Sequence, residues 1–220
     1  MAVPALQIDF VSDVSCPWCA IGLQSLQQAL GKLPSDWAVH LQFQPFELNP
    51  QMEAGGEDVI EHLQRKYGAS EAQLAQTQAA IAERGAQLGF SFAMDQRRRI
   101  YNTFDAHRLL HWAHEVAGEG AQCALKQALF VAYFSQGRDP SDGPTLEALA
   151  ESVGLDQAAA HQVLESGAYA EEVRQQEAHY RQLGIQSVPA VIVNGRHLIQ
   201  GGQPPEVFER ALREIAADPH

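Results

Sequence analysis

Leu6-Gln7-Ile8-Asp9-Phe10-Val11-Ser12-Asp13-Val14-Ser15-Cys16-Pro17-Trp18-Cys19 is the stretch on which the reading of this 220-residue chain turns. Leu6–Val11 alternates apolar and polar residues and then becomes wholly apolar, which predicts a strand. Ser12–Ser15 makes a short connection. Pro17 suits a first helical turn, and Ile21, Leu23, Leu26 and Leu30 form an apolar stripe at helical spacing that Gly31 and Pro34 close. Cys16 therefore falls at or near a helix N-cap, where unpaired backbone N–H groups and the positive end of the helix dipole favour a thiolate. Cys19 lies one turn later on the same side and can attack a mixed disulfide formed at Cys16, as thiol–disulfide exchange requires.

Outward from this stretch, Trp37–Phe43 alternates again and ends near Pro45, so the first ~50 residues read as strand, helix, strand. From about Glu57 to Ser166 the pattern is helical throughout. Val59, Ile60, Leu63 and Tyr67 repeat at helical spacing, and Ser70-Glu71-Ala72-Gln73 has the form of a capping box opening a helix to Leu88. Asn102–Ala117 and a segment carrying Leu125, Leu129 and Phe134 give two more helices. A loop at Asp139–Pro144 precedes a short helix with Leu146, Leu149 and Val153. The last ~55 residues return to mixed structure. A helix through Val173 and Tyr180 stops at Gly184, and Ala190–Val193 is a β-branched run. Asn194-Gly195 signals a hairpin to His197–Ile199, and Pro204-Pro205 leads into a final helix. Neither end supplies enough strands for a core of its own, so both are expected to share one sheet. This predicts an α/β protein in which residues 1–50 and 167–220 form one domain and residues 51–166 a helical insertion.

Composition narrows the function classes. A formal charge of −12 argues against nucleic acid, which needs a basic footprint, and against anionic membranes. The first residues lack a basic start, Asp9 interrupts the apolar run, and no window approaches the roughly 18 apolar residues of a membrane span, so a cytoplasmic location is expected. Three cysteines, Cys16, Cys19 and Cys123, do not make a secreted disulfide framework. Structural zinc wants four ligands, and no second Cys-x-x-Cys exists, so no metal is assigned and the redox reading is favoured over zinc or an inert pair.

His107, His111 and His114 share a helical face and read as ordinary polar or half-buried residues ahead of a metal trio. Cys123 reads as a buried small apolar residue, Arg97-Arg98-Arg99 as a solvated charge run, and Gly201-Gly202 as a turn. Trp18, between the cysteines, is expected to be exposed, either contacting substrate or packing over the sulfurs. Pro189 enters the Ala190–Val193 strand, and the isomer of its peptide bond is open at this level.

Ser15-Cys16-Pro17-Trp18-Cys19-Ala20-Ile21-Gly22 resembles the active-site segment of DsbA-like thioredoxin-fold proteins, specifically the FrnE subgroup. Pro45-Phe46-Glu47-Leu48-Asn49-Pro50, Asn102-Thr103-Phe104-Asp105-Ala106-His107-Arg108-Leu109 and Gly184-Ile185-Gln186-Ser187-Val188-Pro189-Ala190 match in the same order. The resemblance implies a thioredoxin fold split by a helical domain, with Pro189 cis and packed against the sulfur pair. It implies that Val188 offers backbone hydrogen bonds to substrate, that Cys16 attacks and Cys19 resolves, that Pro17 and Trp18 contact substrate, and that Asn102 and His107 face the cleft above Cys16. The implied partners are protein or small-molecule thiols and disulfides, with no tightly bound cofactor and glutathione as a candidate thiol. Ala20 and Ala190 stand where aromatics are common and are expected to reshape the substrate surface. The rival on this scaffold is a glutathione-dependent isomerase or transferase, of the kind found among 2-hydroxychromene-2-carboxylate isomerases and kappa-class glutathione transferases. Those enzymes place a serine where Cys16 stands.

Overall fold

The computed structural model describes residues 4–53 and 55–217. Four strands form the main sheet: β1 (Ala5–Ser12), β2 (Ala38–Pro45), β5 (Ala190–Val193) and β6 (His197–Gln200), in the order β2-β1-β5-β6. β1 and β2 run parallel, from Ala5 opposite Ala38 to Ser12 opposite Pro45. β5 pairs antiparallel with β1, Ile8 facing Val193, and β6 returns antiparallel along β5. Both ends of the chain thus build one sheet, as the shortage of strands at either end demands. The hairpin turn has Asn194 (φ 53) and Gly195 (φ 64) left-handed, with the Arg196 N–H donating to the Val193 carbonyl at 3.1 Å. Asn and Gly are the residues that adopt such dihedrals most readily.

The alternation in β1 sends Leu6, Ile8 and Phe10 to a core shared with helix α1 (Pro17–Leu30) and the C-terminal helix α8 (Pro205–Ala217), where Leu23, Leu26, Phe208 and Leu212 are wholly buried. Each such side chain stabilises the fold by about 1.5–3 kcal/mol. On the opposite face Val11, Ala190 and Ile192 pack with Tyr180 of α7 (Ala170–Gln182).

Between β2 and α7 the chain is mostly helical: α2 (Val59–Tyr67), α3 (Glu71–Gln87), α4 (Phe104–Phe130), a π-helical turn (Val131–Ser135), α5 (Gly143–Ser152) and α6 (Gln157–Ser166). The capping box at Ser70 is present, the Ser70 N–H donating to Gln73 Oε1 at 2.8 Å and the Gln73 N–H to Ser70 Oγ at 3.3 Å. Leu109, Leu125, Leu146 and Leu149 belong to a second core that α4, α5 and α6 share.

Three expectations change. The middle is not wholly helical, since β3 (Glu57–Asp58) and β4 (Arg99–Ile100) form a two-stranded ladder. Two residues carry no periodicity, and each strand exists only because the other lies beside it. The two helices expected between Asn102 and Phe134 join across a kink at Gly118 (φ 76, ψ −171), dihedrals open to glycine and costly for other residues. α6 is a separate helix, capped by Asp156, whose carboxylate accepts the Ala159 N–H at 2.7 Å.

Candidate active site

The sulfur pair stands where β1 gives way to α1. Cys16 is the N-cap, extended at φ −93, ψ 111, and Pro17 opens the helix, where its missing N–H costs nothing. The Cys16 carbonyl accepts the N–H groups of Cys19 (3.0 Å) and Ala20 (3.4 Å), which closes the first turn and sets the two side chains on one side. Both thiols are free, Cys16 at 4% exposure and Cys19 at 0%.

The Val188–Pro189 bond is cis, and the Cys16 thiol donates to the Val188 carbonyl at 3.6 Å. Close approach of this loop to α1 requires a residue without a side chain on the helix. A Cβ on Gly22 would lie 3.0 Å from Pro189 Cγ and 3.4 Å from Gly202 Cα. A Cβ on Gly202 would in turn lie 3.0 Å from the Trp18 carbonyl. Gly201 (φ 81) makes the turn expected of the pair, whereas Gly202 is there for packing.

Cys16 opens onto a cleft of about 990 Å³ whose walls come from five places: Ser15–Trp18, Phe46–Asn49, the α2–α3 segment, the stretch from Met94 to Ile100 and the stretch from Arg181 to Val188. Trp18 is 41% exposed, as expected, and is among the residues that line it. Asn102 and His107 are not among the residues that line it. Asn102 accepts the Phe104 N–H at 2.8 Å and donates to the Met52 carbonyl at 3.1 Å, securing the start of α4. Ala20 and Ala190 are also off the substrate surface; both are completely buried, so small side chains there answer to packing.

His107 lies behind the sulfurs, buried, with Nε2 3.7 Å from Asp13 Oδ1 and no hydrogen-bond partner. Asp13 is itself 1% exposed and holds the approach to Cys16 in place. Its carboxylate accepts the Ser15 N–H (3.1 Å), the Ser15 hydroxyl (2.9 Å) and the Leu48 N–H (2.7 Å). Burial disfavours its charge, but His107 and these donors outweigh burial and lower its pKa from 3.8 to about 2. Lys126, reaching in from α4, is also fully buried. Burial lowers its pKa from 10.5 to about 8 against the opposing pull of negative charge at Cys19, Asp13 and Cys16.

Cys19 is held well above the ordinary thiol range, first by burial and then by hydrogen bonding to Cys16 and its charge.

Arg97 corrects the reading of the arginine run as solvated. It is 7% exposed, with Nε donating to the Tyr133 hydroxyl at 3.0 Å and Nη2 to the Ser15 carbonyl at 3.2 Å, directly before Cys16. Arg98 and Arg99 are exposed. Nothing in a run of three arginines distinguishes the first; the rings of Tyr133 and Phe134, 5.1 and 5.3 Å from its guanidinium, make the difference. The three histidines do not converge either. His107 faces Asp13, His111 Nδ1 lies 3.3 Å from Gln176 Oε1, and His114 Nδ1 is buried without a partner. Among the described residues no group of three His, Cys, Asp or Glu side chains is arranged to hold a metal. Cys123 is half-buried between Gln27 and Gln127, its thiol pushed up by burial.

Residues 7–213 match the model of the DSBA-like thioredoxin domain. The chain belongs to this family. The structure called a probable DsbA oxidoreductase, SCO1869 of Streptomyces coelicolor, superposes with a TM-score of 0.89 at 33% identity, covering 97% of this chain and 91% of that one. The protein YwbO of Bacillus subtilis is 28% identical over 95% of this chain and 96% of its own length. At lower identity the likeness is one of fold. The cytosolic disulfide reductase DsbM of Pseudomonas aeruginosa, solved with GSH, gives a TM-score of 0.65 at 16% identity, covering 94% and 98% of the two chains. A 2-hydroxychromene-2-carboxylate isomerase gives 0.69 at 19%, covering 97% of each. The helices from α2 to α6 lie in the chain between β2 and α7, consistent with a helical insertion in a DSBA-like fold. No described helix is long and apolar enough to cross a membrane.

Proposed function

We propose that this DSBA-like protein is a dithiol–disulfide oxidoreductase of the FrnE type, acting in the cytoplasm on protein or small-molecule disulfides. The observation that carries the reading is the division of labour between the two free thiols. Cys16 sits at a helix N-terminus on the wall of the cleft, while Cys19 is wholly buried behind it with its proton held.

The Cys16 thiolate attacks one sulfur of R–S–S–R; a bond forms from Cys16 to that sulfur, and R–S⁻ leaves and takes up a proton. Cys19 then loses its proton and attacks the Cys16 sulfur, forming the Cys16–Cys19 bond and expelling the second R–S⁻. Two electrons pass from the dithiol to the substrate, which ends as two thiols, and an external dithiol or a pair of glutathione molecules restores the enzyme. Run backwards, the steps oxidise or isomerise a substrate, and the direction follows the potential of the couple, about 30 mV being worth about 1.4 kcal/mol. In this scheme Trp18 and the Val188 carbonyl contact the substrate, and Pro17 and Pro189 shape the walls beside the attacking sulfur. His107 acts on the site from outside the cleft, through Asp13, and Asn102 supports the start of α4.

A glutathione-dependent isomerase on the same scaffold borrows its thiol from glutathione and has no use for a resolving cysteine, so the intact pair supports the dithiol reading over it. Cys16→Ser is expected to abolish reduction of insulin by dithiothreitol, and Cys19→Ser to accumulate a mixed disulfide at Cys16. Turnover in Cys16→Ser at the unaltered rate overturns the proposal.

A further inference from the structure

We infer that the cleft beside Cys16 selects small disulfides with an apolar or aromatic body and a carboxylate. This rests on the dithiol reading above and names the class of substrate that the site fits.

Charge gives the first argument. Lys66, Arg97 and Arg181 all line the cleft, and among the described residues none of them is paired with a carboxylate. Lys66 donates to the Leu48 carbonyl (2.9 Å) and to Asn49 Oδ1 (2.7 Å), which aim its ammonium at the floor without neutralising it. Arg97 is tied to the Ser15 carbonyl and to Tyr133, both uncharged. Arg181 lies 5.5 Å from the Phe46 ring centroid. The one acid on the walls, Glu47, is taken up by an ion pair with Arg174. In a chain of net charge −12, three cations without an ion-pair partner on the walls of one cleft, with Asp13 the buried anion nearby, give that cleft a charge opposite to that of the whole molecule. Such a charge attracts an anion that the remaining surface repels.

The remaining lining and the shape give the second argument. Trp18, Phe46, Leu63, Tyr67, Ile81 and Met94 make the cleft predominantly apolar, which favours a ligand body that leaves water readily. The volume of about 990 Å³ falls at the upper end of small-molecule sites, roughly 300–1,000 Å³. The α2–α3 segment and the Val188 loop both line the cleft, so Cys16 lies in a walled recess that a small disulfide enters more readily than one on a folded protein surface.

The test uses the full-length reduced protein and three disulfides: dithiobis-nitrobenzoate (aromatic, with carboxylates), dithiodipyridine (aromatic, uncharged) and glutathione disulfide (carboxylates on a polar body). Each rate constant is divided by that of free dithiothreitol with the same disulfide, which removes intrinsic reactivity. The expected normalised rate for dithiobis-nitrobenzoate exceeds each of the others by at least about tenfold at low salt, equivalent to about 1.4 kcal/mol. The excess over dithiodipyridine is expected to shrink at 1 M salt, where screening acts over roughly 3 Å. The double change Lys66→Ala with Arg181→Ala is expected to lower that ratio by at least about threefold, the effect of two partly exposed charges. The salt titration needs no variant and decides the matter if the double variant does not fold.

Equal normalised rates, a ratio indifferent to salt, or a preference for glutathione disulfide overturns the selection while leaving the dithiol chemistry standing. Failure of Cys16 to react with any of the three overturns both.

Discussion

In front of Cys16 lies a cleft of about 990 Å³ with apolar walls and exposed cations; behind Cys19 the chain packs Asp13, His107 and Lys126 with no opening to it. A small pocket lined by His107, Gln122 and Lys126 among others has a volume of about 10 Å³, about enough for one water. Under the proposed exchange, the contrast separates two jobs that one thiol cannot do. A nucleophile must meet its substrate, whereas a resolving thiol must stay protonated and shielded until its neighbour is engaged. Open apolar surface serves the first. Burial among fixed charges serves the second, at a cost in stability.

The sharpest way to break this comparison is to remove one sulfur at a time. Cys16→Ser is expected to lower disulfide reduction by at least about a thousandfold, in keeping with the loss of a nucleophile. In the unaltered reduced protein, iodoacetamide at neutral pH is expected to label Cys16 well before Cys19, as read by peptide mass mapping. Labelling of Cys19 first contradicts the front-and-back assignment.

Removing the two buried charges behind the pair should change stability in opposite senses, although each makes stability rise with pH in its own range. Lys126 has its pKa lowered from 10.5 to about 8, so between those values the unfolded chain binds more protons and stability rises with pH. Lys126→Met removes that rise and is expected to add about 1–3 kcal/mol at neutral pH, measured by urea unfolding. A loss of stability instead shows that the ammonium is worth more to its acidic neighbours than its burial costs.

Asp13, with its pKa lowered from 3.8 to about 2, stabilises the fold above about pH 4, and the contribution fades as pH falls through about 2. Asp13→Asn is expected to cost on the order of 2 kcal/mol at pH 7. The difference from the unaltered protein should narrow in the same acid range, and a pH-independent difference refutes the charge argument.

The smallest effect belongs to the front wall. Ser70→Ala deletes the cap of α3 and is expected to cost about 1 kcal/mol, seen as a lower urea midpoint. Because this wall restricts protein disulfides rather than small ones, the same change is expected to alter the reactivity of insulin more than that of small disulfides.

Much of this was legible before any coordinates. The strand–cysteine–helix junction, the Ser70 capping box and the Asn194-Gly195 hairpin are local, and each announces itself within a few residues. The residues that distinguish front from back were not legible. Arg97 looked solvated because its partners, Ser15 and Tyr133, lie 82 and 36 residues away. Asp13 looked like one polar residue of a short connection because its anchors include Leu48, 35 residues on, and His107 from α4. Asn102 and His107 were expected from the resemblance to face the cleft, yet here they secure a helix start and face Asp13.

From its order of residues alone this chain determined where two sulfurs meet a helix N-terminus and that its two ends must combine into one sheet, because backbone periodicity and capping act over a single turn or strand. Only the packed structure decided which sulfur faces outward, which charges surround it and how large a molecule it can admit. Burial and long-range pairing are properties of a surface that does not exist until distant segments enclose it.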